Sequence, residues 1–316
     1  MPFCEAINQS NIFSSGGPIS QNHKTRSKII AIIGCGRAGS KLGFWLSRSG
    51  YKIEALFDPD ITKAEKLSIE VNAEKVCSEA SHAASCSDII FISTPDSLIK
   101  PTCAEIAKGG GFNTGSIVFH LSGSLPSSIL LEAAKKGALT ASFHPLQSLA
   151  GGDTEINPFK DILIAVEGYA EAVAQAKKMA IDLGARPYEI DGNAKTLYHA
   201  SAVIASNYLV SLMKMASEVM AASGIPEEKA FEFLLPLVKG TLANMEKMGV
   251  EQALTGPVSR GDATTVIAHI NGITEKTPDL KKAYIELGKI ALQISESQNF
   301  IPEHLINQLR DIFESS

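Results

Sequence analysis

A glycine-rich turn that follows a short apolar run is the feature that most constrains how this chain can fold. The apolar run Ile29 to Ile33 leads directly into Gly34-Cys35-Gly36-Arg37-Ala38-Gly39. An unbroken apolar run of this kind is typical of a parallel strand that is buried on both faces. In Gly-x-Gly-x-x-Gly, the first glycine permits a tight turn, the second lets a phosphate approach the backbone, and the third lets a helix pack closely. The turn therefore predicts a strand, a phosphate-binding loop and a helix, in that order.

The residues after the turn favour a dinucleotide site over a glycine turn of purely structural use. Leu42, Trp45 and Leu46 recur at helical spacing, and a second apolar run, Ile53 to Phe57, ends in Asp58. The amide groups and the positive dipole end of a helix start favour an anion. A carboxylate roughly 20 residues beyond the last glycine can accept hydrogen bonds from the ribose hydroxyls of adenosine. The residues expected to bind the cofactor here are Gly34, Gly36, Arg37, Ala38, Gly39 and Asp58.

Asp58 also bears on which dinucleotide binds. Its carboxylate would repel the 2′-phosphate of NADP, and no arginine follows it directly, so NAD is preferred. Lys63 and Lys66 lie close enough in sequence to leave NADP open.

The order of the apolar runs predicts an α/β fold with a doubly wound, mainly parallel sheet. Strand-like runs alternate with helix-like segments as far as Pro187 to Ile190, which is typical of βαβ units. Thr94 and Pro95 directly follow one of these strands, Asp88 to Ser93, at its carboxyl end. Ligands of open parallel sheets bind at the carboxyl ends of strands. We therefore expect both residues to contact the cofactor, and we expect Asp96 to cap the next helix.

Beyond Gly192 every remaining segment has a helical pattern, so the fold should change there. We expect a flexible arm at residues 1–26, a dinucleotide-binding domain at 27–191 and an all-helical domain at 192–316. The first long helix, Ala194 to Ala222, is apolar nearly all round, which favours burial by a second copy of the chain in a homodimer. Pro236 should kink or break the helix that begins at Pro226.

Composition excludes several classes of partner. The net charge is −5 and the sequence contains no run of basic residues, which argues against a nucleic-acid surface. The five cysteines form no C-x-x-C pair, so neither a disulfide framework nor a metal site is indicated, and a reducing cytoplasm is the simplest location. No segment has the roughly 18 uninterrupted apolar residues of a membrane span. These features favour a cytoplasmic enzyme with a small-molecule substrate.

Two residues at predicted strand ends are candidates for proton transfer. His144 follows the run Leu139 to Phe143, and Ser122 holds the equivalent position after the preceding strand. A neutral imidazole can give or take a proton near pH 7 while hydride moves to or from a carbonyl or imine carbon. The alternative is that His144 only hydrogen-bonds its own turn.

The helical half supplies further candidates. Lys195 and His199 share one face of the predicted long helix, and Asn207 lies farther along it. Arg260 could hold a substrate carboxylate by two hydrogen bonds. The alternatives are a core role for His199 and a salt bridge from Arg260 to Asp262, which would itself cap the next helix.

Several of these segments together resemble a known family. The matching stretches are Gly34 to Gly39, Ser93 to Asp96, Leu121 to Gly123, Ser142 to Gln147, Tyr198 to Ala200 with Asn207, and Leu254 to Asp262. The chain resembles the Rossmann-like NAD(P)-dependent oxidoreductases whose C-terminal half is a domain of unknown function. That family is related to 6-phosphogluconate dehydrogenase, pyrroline-5-carboxylate reductase, ketopantoate reductase and prephenate dehydrogenase. The resemblance implies that His144 contacts the substrate and that Lys195 and Asn207 polarise the reacting carbonyl.

The leading expectation is therefore an NAD(P)-dependent oxidoreductase. It would transfer hydride between nicotinamide and a small carboxylate-bearing carbonyl, hydroxyl or imine compound, in a cleft between the two domains. The catalytic candidates are His144, Ser122, Lys195 and His199, and the substrate-binding candidates are Asn207 and Arg260. The alternative is a dinucleotide-binding sensor or regulatory protein without turnover, which is favoured by the lack of a lysine and an asparagine at the usual superfamily spacing.

Overall fold

The computed structural model describes residues 28–149 and 155–316. An eight-stranded sheet organises the first part of the chain. The strands are β1 (Ile29–Ile33), β2 (Lys52–Phe57), β3 (Lys75–Val76), β4 (Ile89–Ile92), β5 (Ile117–His120), β6 (Leu139–Pro145), β7 (Leu163–Gly168) and β8 (Arg186–Glu189). Their spatial order is β3-β2-β1-β4-β5-β6-β7-β8. Neighbouring strands are parallel except for β6 and β7, which are antiparallel. The predicted α/β fold with a doubly wound, mainly parallel sheet is confirmed.

Helices cover both faces of this sheet. They are α1 (Arg37–Arg48), α2 (Ile61–Val71), α3 (Ala80–Ser85), α4 (Asp96–Lys108), α5 (Leu131–Lys135) and α6 (Ala170–Asp182). Successive residues of β1 alternate between two apolar cores, because Ile30 and Ile32 belong to one core while Ala31 and Ile33 belong to the other. Helices α1, α2 and α6 contribute to the first core, and α3, α4 and α5 to the second. Burial on both faces explains why the strands are apolar runs without alternation.

Two short elements of this part were not predicted. Strand β3 has 2 residues and helix α3 has 6, so neither is long enough to show a period in the sequence. The expected arm at residues 1–26 lies outside the described residues.

The second part of the chain is helical. It contains α7 (Lys195–Ala205), α8 (Asn207–Ala222), α9 (Glu227–Met248), α10 (Ala263–Lys276), α11 (Lys281–Gln298) and α12 (Glu303–Ser315), with short 3-10 turns between some of them. The chain divides into two compact units, of which the first ends at Thr196 and the second comprises Leu197–Ser316. The second unit has an apolar core of its own that includes Val266, Leu309 and Phe313. Among the described helices, none is both long and apolar enough to cross a membrane.

The helices differ from expectation at two points. The single helix expected over Ala194 to Ala222 is wrong, because Ser206 interrupts it with a φ of −115° and a ψ of −65°. Serine and asparagine are weak helix formers, and the adjacent pair Ser206-Asn207 gives the backbone a place to bend. Pro236 does not break α9, which continues through it to Met248. A proline removes one helical hydrogen bond, and good helix formers on both sides keep the remaining bonds.

Candidate active site

The glycine turn joins β1 to α1 at the carboxyl edge of the sheet. Gly34 has a φ of +97°, in the left-handed region that favours glycine. A Cβ atom on Gly39 would lie 2.0 Å from the carbonyl oxygen of Gly34 and 2.4 Å from Oγ of Ser93. Only glycine therefore allows α1 to begin so close to the turn. A Cβ atom on Gly36 would meet nothing within 4 Å, so there is open space beside the backbone where α1 starts.

This open side presents groups that suit an anion. Gly36 precedes α1 and provides no side chain to cap the first amide groups of the helix, which have no acceptor within the helix. Arg37 is exposed and Ala38 is half-buried in that first turn. Thr94, in the loop that follows β4, has a buried hydroxyl with no hydrogen-bond partner among the described residues. Free amide groups and an unbonded hydroxyl fit a phosphate-bearing ligand such as a dinucleotide.

Asp58 fixes the turn from the end of β2. Its carboxylate accepts hydrogen bonds from the backbone N–H of Cys35 at 2.7 Å and of Asp60 at 2.9 Å. The thiol of Cys35 contacts the carbonyl of Phe57, and burial together with the charge of Asp58 raises the pKa of this thiol to about 12. Since each carboxylate oxygen has two lone pairs, Asp58 can hold the turn and still accept a ribose hydroxyl.

Ser93 joins the glycine turn to the neighbouring strand β4. The Ser93 hydroxyl donates to the carbonyls of Ile33 at 3.1 Å and of Gly34 at 2.6 Å. Pro95 then precedes α4 at the position that would normally cap this helix. The loops after β1 and β4 are therefore in direct contact at the carboxyl edge.

A second group of polar residues lies where β5, β6 and β7 are adjacent. The strand register pairs His120 with Ser142, and Ser142 with Glu167. All three residues are buried. Burying polar groups is unfavourable unless they are hydrogen-bonded, so these side chains need partners.

Lys195, the first residue of α7, provides several of those partners. Its Nζ donates to the carbonyl of Ser122 at 3.0 Å and to Oγ of Ser142 at 2.9 Å, and it lies 4.0 Å from Oε1 of Glu167. The residue is 0% exposed. Burial lowers the pKa of Lys195 to about 8, although the carboxylates of Glu167 and Asp96 act in the opposite direction. The ammonium group is therefore enclosed by the chain itself.

Asp96 binds the serines that follow β5. The hydroxyls of Ser122 and Ser124 both donate to Oδ2 of Asp96, at 2.7 and 2.9 Å. The expectation that Asp96 caps α4 is wrong. Pro95 occupies the cap position, and Asp96 is the first helical residue, with its side chain turned to the serines.

Two histidines lie near these groups. The N–H of Ser122 donates to Nδ1 of His120 at 3.1 Å, which places the proton of the neutral imidazole on Nε2. Burial, followed by the charge of Lys195, lowers the pKa of His120 to about 3. His144, two residues beyond Ser142 in β6, is half-buried and also lowers the pKa of His120. His120 is thus uncharged at neutral pH and lies within electrostatic range of His144.

The remaining candidates belong to the second unit. His199 is half-buried in α7, Asn207 is exposed at the start of α8, and Arg260 is exposed at the end of the 3-10 turn Val258–Arg260. Arg260 and Asp262 do not form a close ion pair among the described residues, although the hydrogen bonds from Thr265, together with the charge of Arg260, lower the pKa of Asp262. Asp262 does cap α10, because Oδ1 of its carboxylate accepts the N–H of Thr265 at 3.0 Å.

The structure thus brings Ser122 and Lys195 together, with His144 at the same edge of the sheet. The sequence did not identify His120, Ser142 or Glu167. A signal was present for two of them, because His120 and Glu167 are polar residues near the carboxyl ends of otherwise apolar strands, whereas Ser142 lies in the middle of β6. Across residues 28–149 and 155–316, no cluster of three or more His, Cys, Asp or Glu residues could hold a metal ion.

Comparison with known proteins bears on both units. Residues 15–145 match a Rossmann-like domain, and residues 162–291 match a domain of unknown function, DUF2520. No curated protein matches the chain. A solved protein from Thermotoga maritima is 26% identical with a TM-score of 0.67, and the match covers 85% of this chain and 99% of that one.

Two further solved structures have the same fold. A provisionally assigned NADP oxidoreductase from Bacteroides fragilis is 22% identical with a TM-score of 0.67, over 84% of this chain and 98% of that one. A pyrroline-5-carboxylate reductase from Coxiella burnetii is 13% identical with a TM-score of 0.55, over 86% and 98%. The matches extend over the sheet and the helices, which confirms the expected relationship at the level of the fold.

Proposed function

We propose that this chain, a Rossmann-like domain joined to a DUF2520 domain, is an NAD(P)-dependent oxidoreductase. Its substrate would be a small carboxylate-bearing carbonyl, hydroxyl or imine compound. The observation that carries the proposal is the glycine turn, in which Gly39 has no room for a Cβ atom while Gly36 faces open space. Reductases and an oxidoreductase among the proteins of similar fold support the same activity.

The proposal gives roles to the cofactor-binding candidates, to two of the catalytic candidates and to the substrate-binding candidates. A bound nicotinamide would supply or accept hydride. The pyrophosphate would be held by the glycine turn, at Gly34, Gly36, Arg37, Ala38 and Gly39. Asp58 would hold the adenosine ribose, and Thr94 and Pro95 would hold the part of the cofactor that lies beside β4. His144 would move the proton at the substrate oxygen or nitrogen, with His199 as a second candidate. Asn207 and Arg260 would bind the substrate, with Arg260 taking its carboxylate.

We propose a preference for NAD, since the carboxylate of Asp58 would oppose the 2′-phosphate of NADP. The bonds from Asp58 to Cys35 and Asp60 support this role, because they fix the carboxylate beside the turn.

A binding and turnover screen tests the proposal. NADH and NADPH are titrated against the protein, and both are then supplied with panels of keto acids, hydroxy acids and cyclic imines. We expect dinucleotide binding below millimolar concentration, and we expect His144→Asn to abolish turnover while binding persists. If neither dinucleotide bound at high micromolar concentration, the proposal would fail.

The alternative is a dinucleotide-binding sensor or regulatory protein. It is favoured by Lys195, whose ammonium group is enclosed and therefore cannot polarise a substrate from an open surface. A sensor would bind NADH or NADPH in the same titration and would turn over no member of the substrate panel.

We further propose a cytoplasmic homodimer that is built on the helical unit. Large apolar side chains of α8 and α9 are exposed, among them Val210 at 71% and Leu237 at 67%. The same unit has an apolar pocket of about 860 Å³, whose lining includes Leu212, Met215 and Ile273. Leaving such surface in water forfeits about 25 cal/mol for each Å², and a second copy is the simplest cover. Sedimentation at low micromolar concentration should show a dimer, and a well-folded monomer would contradict this assembly.

A further inference from the structure

Lys195 has its whole side chain buried next to the candidate active site, and a role for this enclosed charge follows from its contacts. We infer that Lys195 is a positioning residue that fixes the loop after β5, and with it the Ser122 hydroxyl, without contacting the substrate. We call residues 121–126 the serine loop. The consequence for turnover rests on the proposed function, whereas the consequence for the loop does not.

The serine loop is bound at both ends and in its middle. At its start, Nζ of Lys195 donates to the carbonyl of Ser122 at 3.0 Å. In its middle, Ser124 donates to Asp96 at 2.9 Å. Immediately after its end, Ser127 donates to Glu167 through its backbone N–H at 2.6 Å and its hydroxyl at 2.7 Å.

The two ends are joined through one pair of opposite charges. Oε1 of Glu167 accepts the N–H of Ser127 and lies 4.0 Å from Nζ of Lys195. The same ammonium group donates to Ser142 at 2.9 Å, and Ser142 precedes His144 by two residues in β6. Lys195 therefore connects the serine loop to β7 and to the strand that bears the expected proton-transfer residue.

Two of the three N–H donors of the Lys195 ammonium group are engaged. They go to Ser122 and Ser142, and Oε1 of Glu167 lies 4.0 Å from the same nitrogen. The other titratable groups nearby are Asp96 from α4 and the imidazoles of His120 and His144 from β5 and β6. To reach a substrate, Lys195 would have to leave these partners and expose a group that now has no exposed surface. Positioning is the role that these contacts allow.

Lys195→Met tests the inference by hydrogen exchange of the backbone amides. The N–H groups of Ser124 and Leu125 donate to Oγ of Ser122 at 3.2 and 3.0 Å, so their exchange reports on the serine loop. Loss of the charge-assisted bond to Ser122 should accelerate their exchange about tenfold or more. Dinucleotide affinity should stay within about twofold, because Asp58 and Ser93 hold the glycine turn independently of Lys195. In the active enzyme kcat should fall while KM for the dinucleotide does not change.

Two further variants keep the test decisive. Lys177→Met removes an exposed lysine of α6 that pairs with Glu189 at 2.7 Å, and it should alter neither exchange nor turnover. Ser142→Ala removes one acceptor of Lys195 and should give a smaller acceleration, so it replaces Lys195→Met if that variant does not fold.

The possible results separate this inference from the proposed function. Accelerated exchange in the serine loop, with kcat lowered at unchanged dinucleotide affinity, supports the positioning role. If the serine loop of Lys195→Met exchanges at the wild-type rate, the positioning role is overturned. If that variant also loses turnover while its loop exchanges at the wild-type rate, Lys195 is assigned to substrate contact instead. If the wild type bound no dinucleotide, the proposed function would fail, and the exchange rates alone would still decide the role of Lys195.

Discussion

The pairing of Lys195 with Glu167 predicts a pH-dependent loss of stability when the glutamate is neutralised. Glu167→Gln removes the negative charge 4.0 Å from Nζ of Lys195 and keeps an amide oxygen that can accept the N–H of Ser127. If Lys195 stayed charged, the lost attraction would cost about 4 kcal/mol at an effective dielectric constant of about 20.

Releasing the proton of Lys195 costs less than that. The pKa of Lys195 is about 8, compared with 10.5 for an ordinary lysine. At pH 7, one unit below this pKa, proton binding stabilises the folded state by roughly 1 kcal/mol relative to the folded state with a neutral lysine. The variant can give up that stabilisation by releasing the proton, so the part of the cost of Glu167→Gln that comes from the lost charge should be limited to roughly 1 kcal/mol at pH 7. The corresponding limit rises to roughly 3 kcal/mol at pH 6 and is close to zero at pH 9.

The sign follows from the direction of the pKa change. Burial lowers the folded-state pKa of Lys195, so the folded protein binds fewer protons than the unfolded chain between pH 8 and 10.5, and stability rises with pH over that range. Glu167→Gln lowers the folded-state pKa further. The range in which stability rises with pH then extends below pH 8, and the deficit relative to the wild type grows as the pH falls.

Urea unfolding of the wild type and Glu167→Gln at pH 6, 7 and 9 measures this deficit. The control is the same substitution in a Lys195→Met background, where the difference between pH 6 and pH 9 should vanish because no buried ammonium group remains. A deficit of the same size at pH 6 and pH 9 would refute the reasoning, since it would show that the loss does not depend on the proton of Lys195.

Three further substitutions test the turn, the cofactor preference and the helical core. Gly39→Ala should lower the free energy of unfolding in urea by about 1–3 kcal/mol and abolish dinucleotide binding, because the new Cβ atom would lie 2.0 Å from a backbone oxygen. Its control is Gly36→Ala, which has room for the Cβ atom and should leave the free energy of unfolding within about 0.5 kcal/mol of the wild type's. Asp58→Asn keeps an acceptor for the turn and should raise NADPH affinity relative to NADH in calorimetric titration; an unchanged ratio would show that the carboxylate does not reach the ribose. Gly288→Ala should lower stability by about 1–3 kcal/mol, because the new Cβ atom would lie 2.5 Å from the ring of Phe313; a melting temperature equal to the wild type's would contradict this packing.

Local signals allowed much of the sheet to be predicted from the sequence. The run Ile29 to Ile33, the three glycines and Asp58 depend on steric and burial rules that act within a few residues, and the structure places them as β1, the turn and the end of β2. The antiparallel pairing of β6 with β7 was not predicted, because strand direction depends on how the connecting segment runs and not on the apolar pattern of either strand.

The surroundings of Lys195 could not be predicted, because they are assembled from distant segments. Its partners Ser122, Ser142 and Glu167 lie on or just after three different strands, and the strand register brings them together. A sequence shows that these residues are polar, but the register decides whether each one faces solvent or another polar group. The resemblance to dehydrogenases suggested Lys195 as a group that polarises a carbonyl, whereas the contacts of the lysine indicate support of the loop.

The order of the strands connects the two groups of polar residues. In the order β3-β2-β1-β4-β5, the chain reverses direction across the sheet between β1 and β4, and ligands of open α/β sheets bind at that point. The glycine turn lies on one side of this position, and Thr94 on the other. Two residues after Thr94, Asp96 accepts hydrogen bonds from Ser122 and Ser124 of the serine loop. The segment from Thr94 to Asp96 therefore joins the two groups of polar residues, because it borders the glycine turn at one end and is hydrogen-bonded to the serine loop at the other.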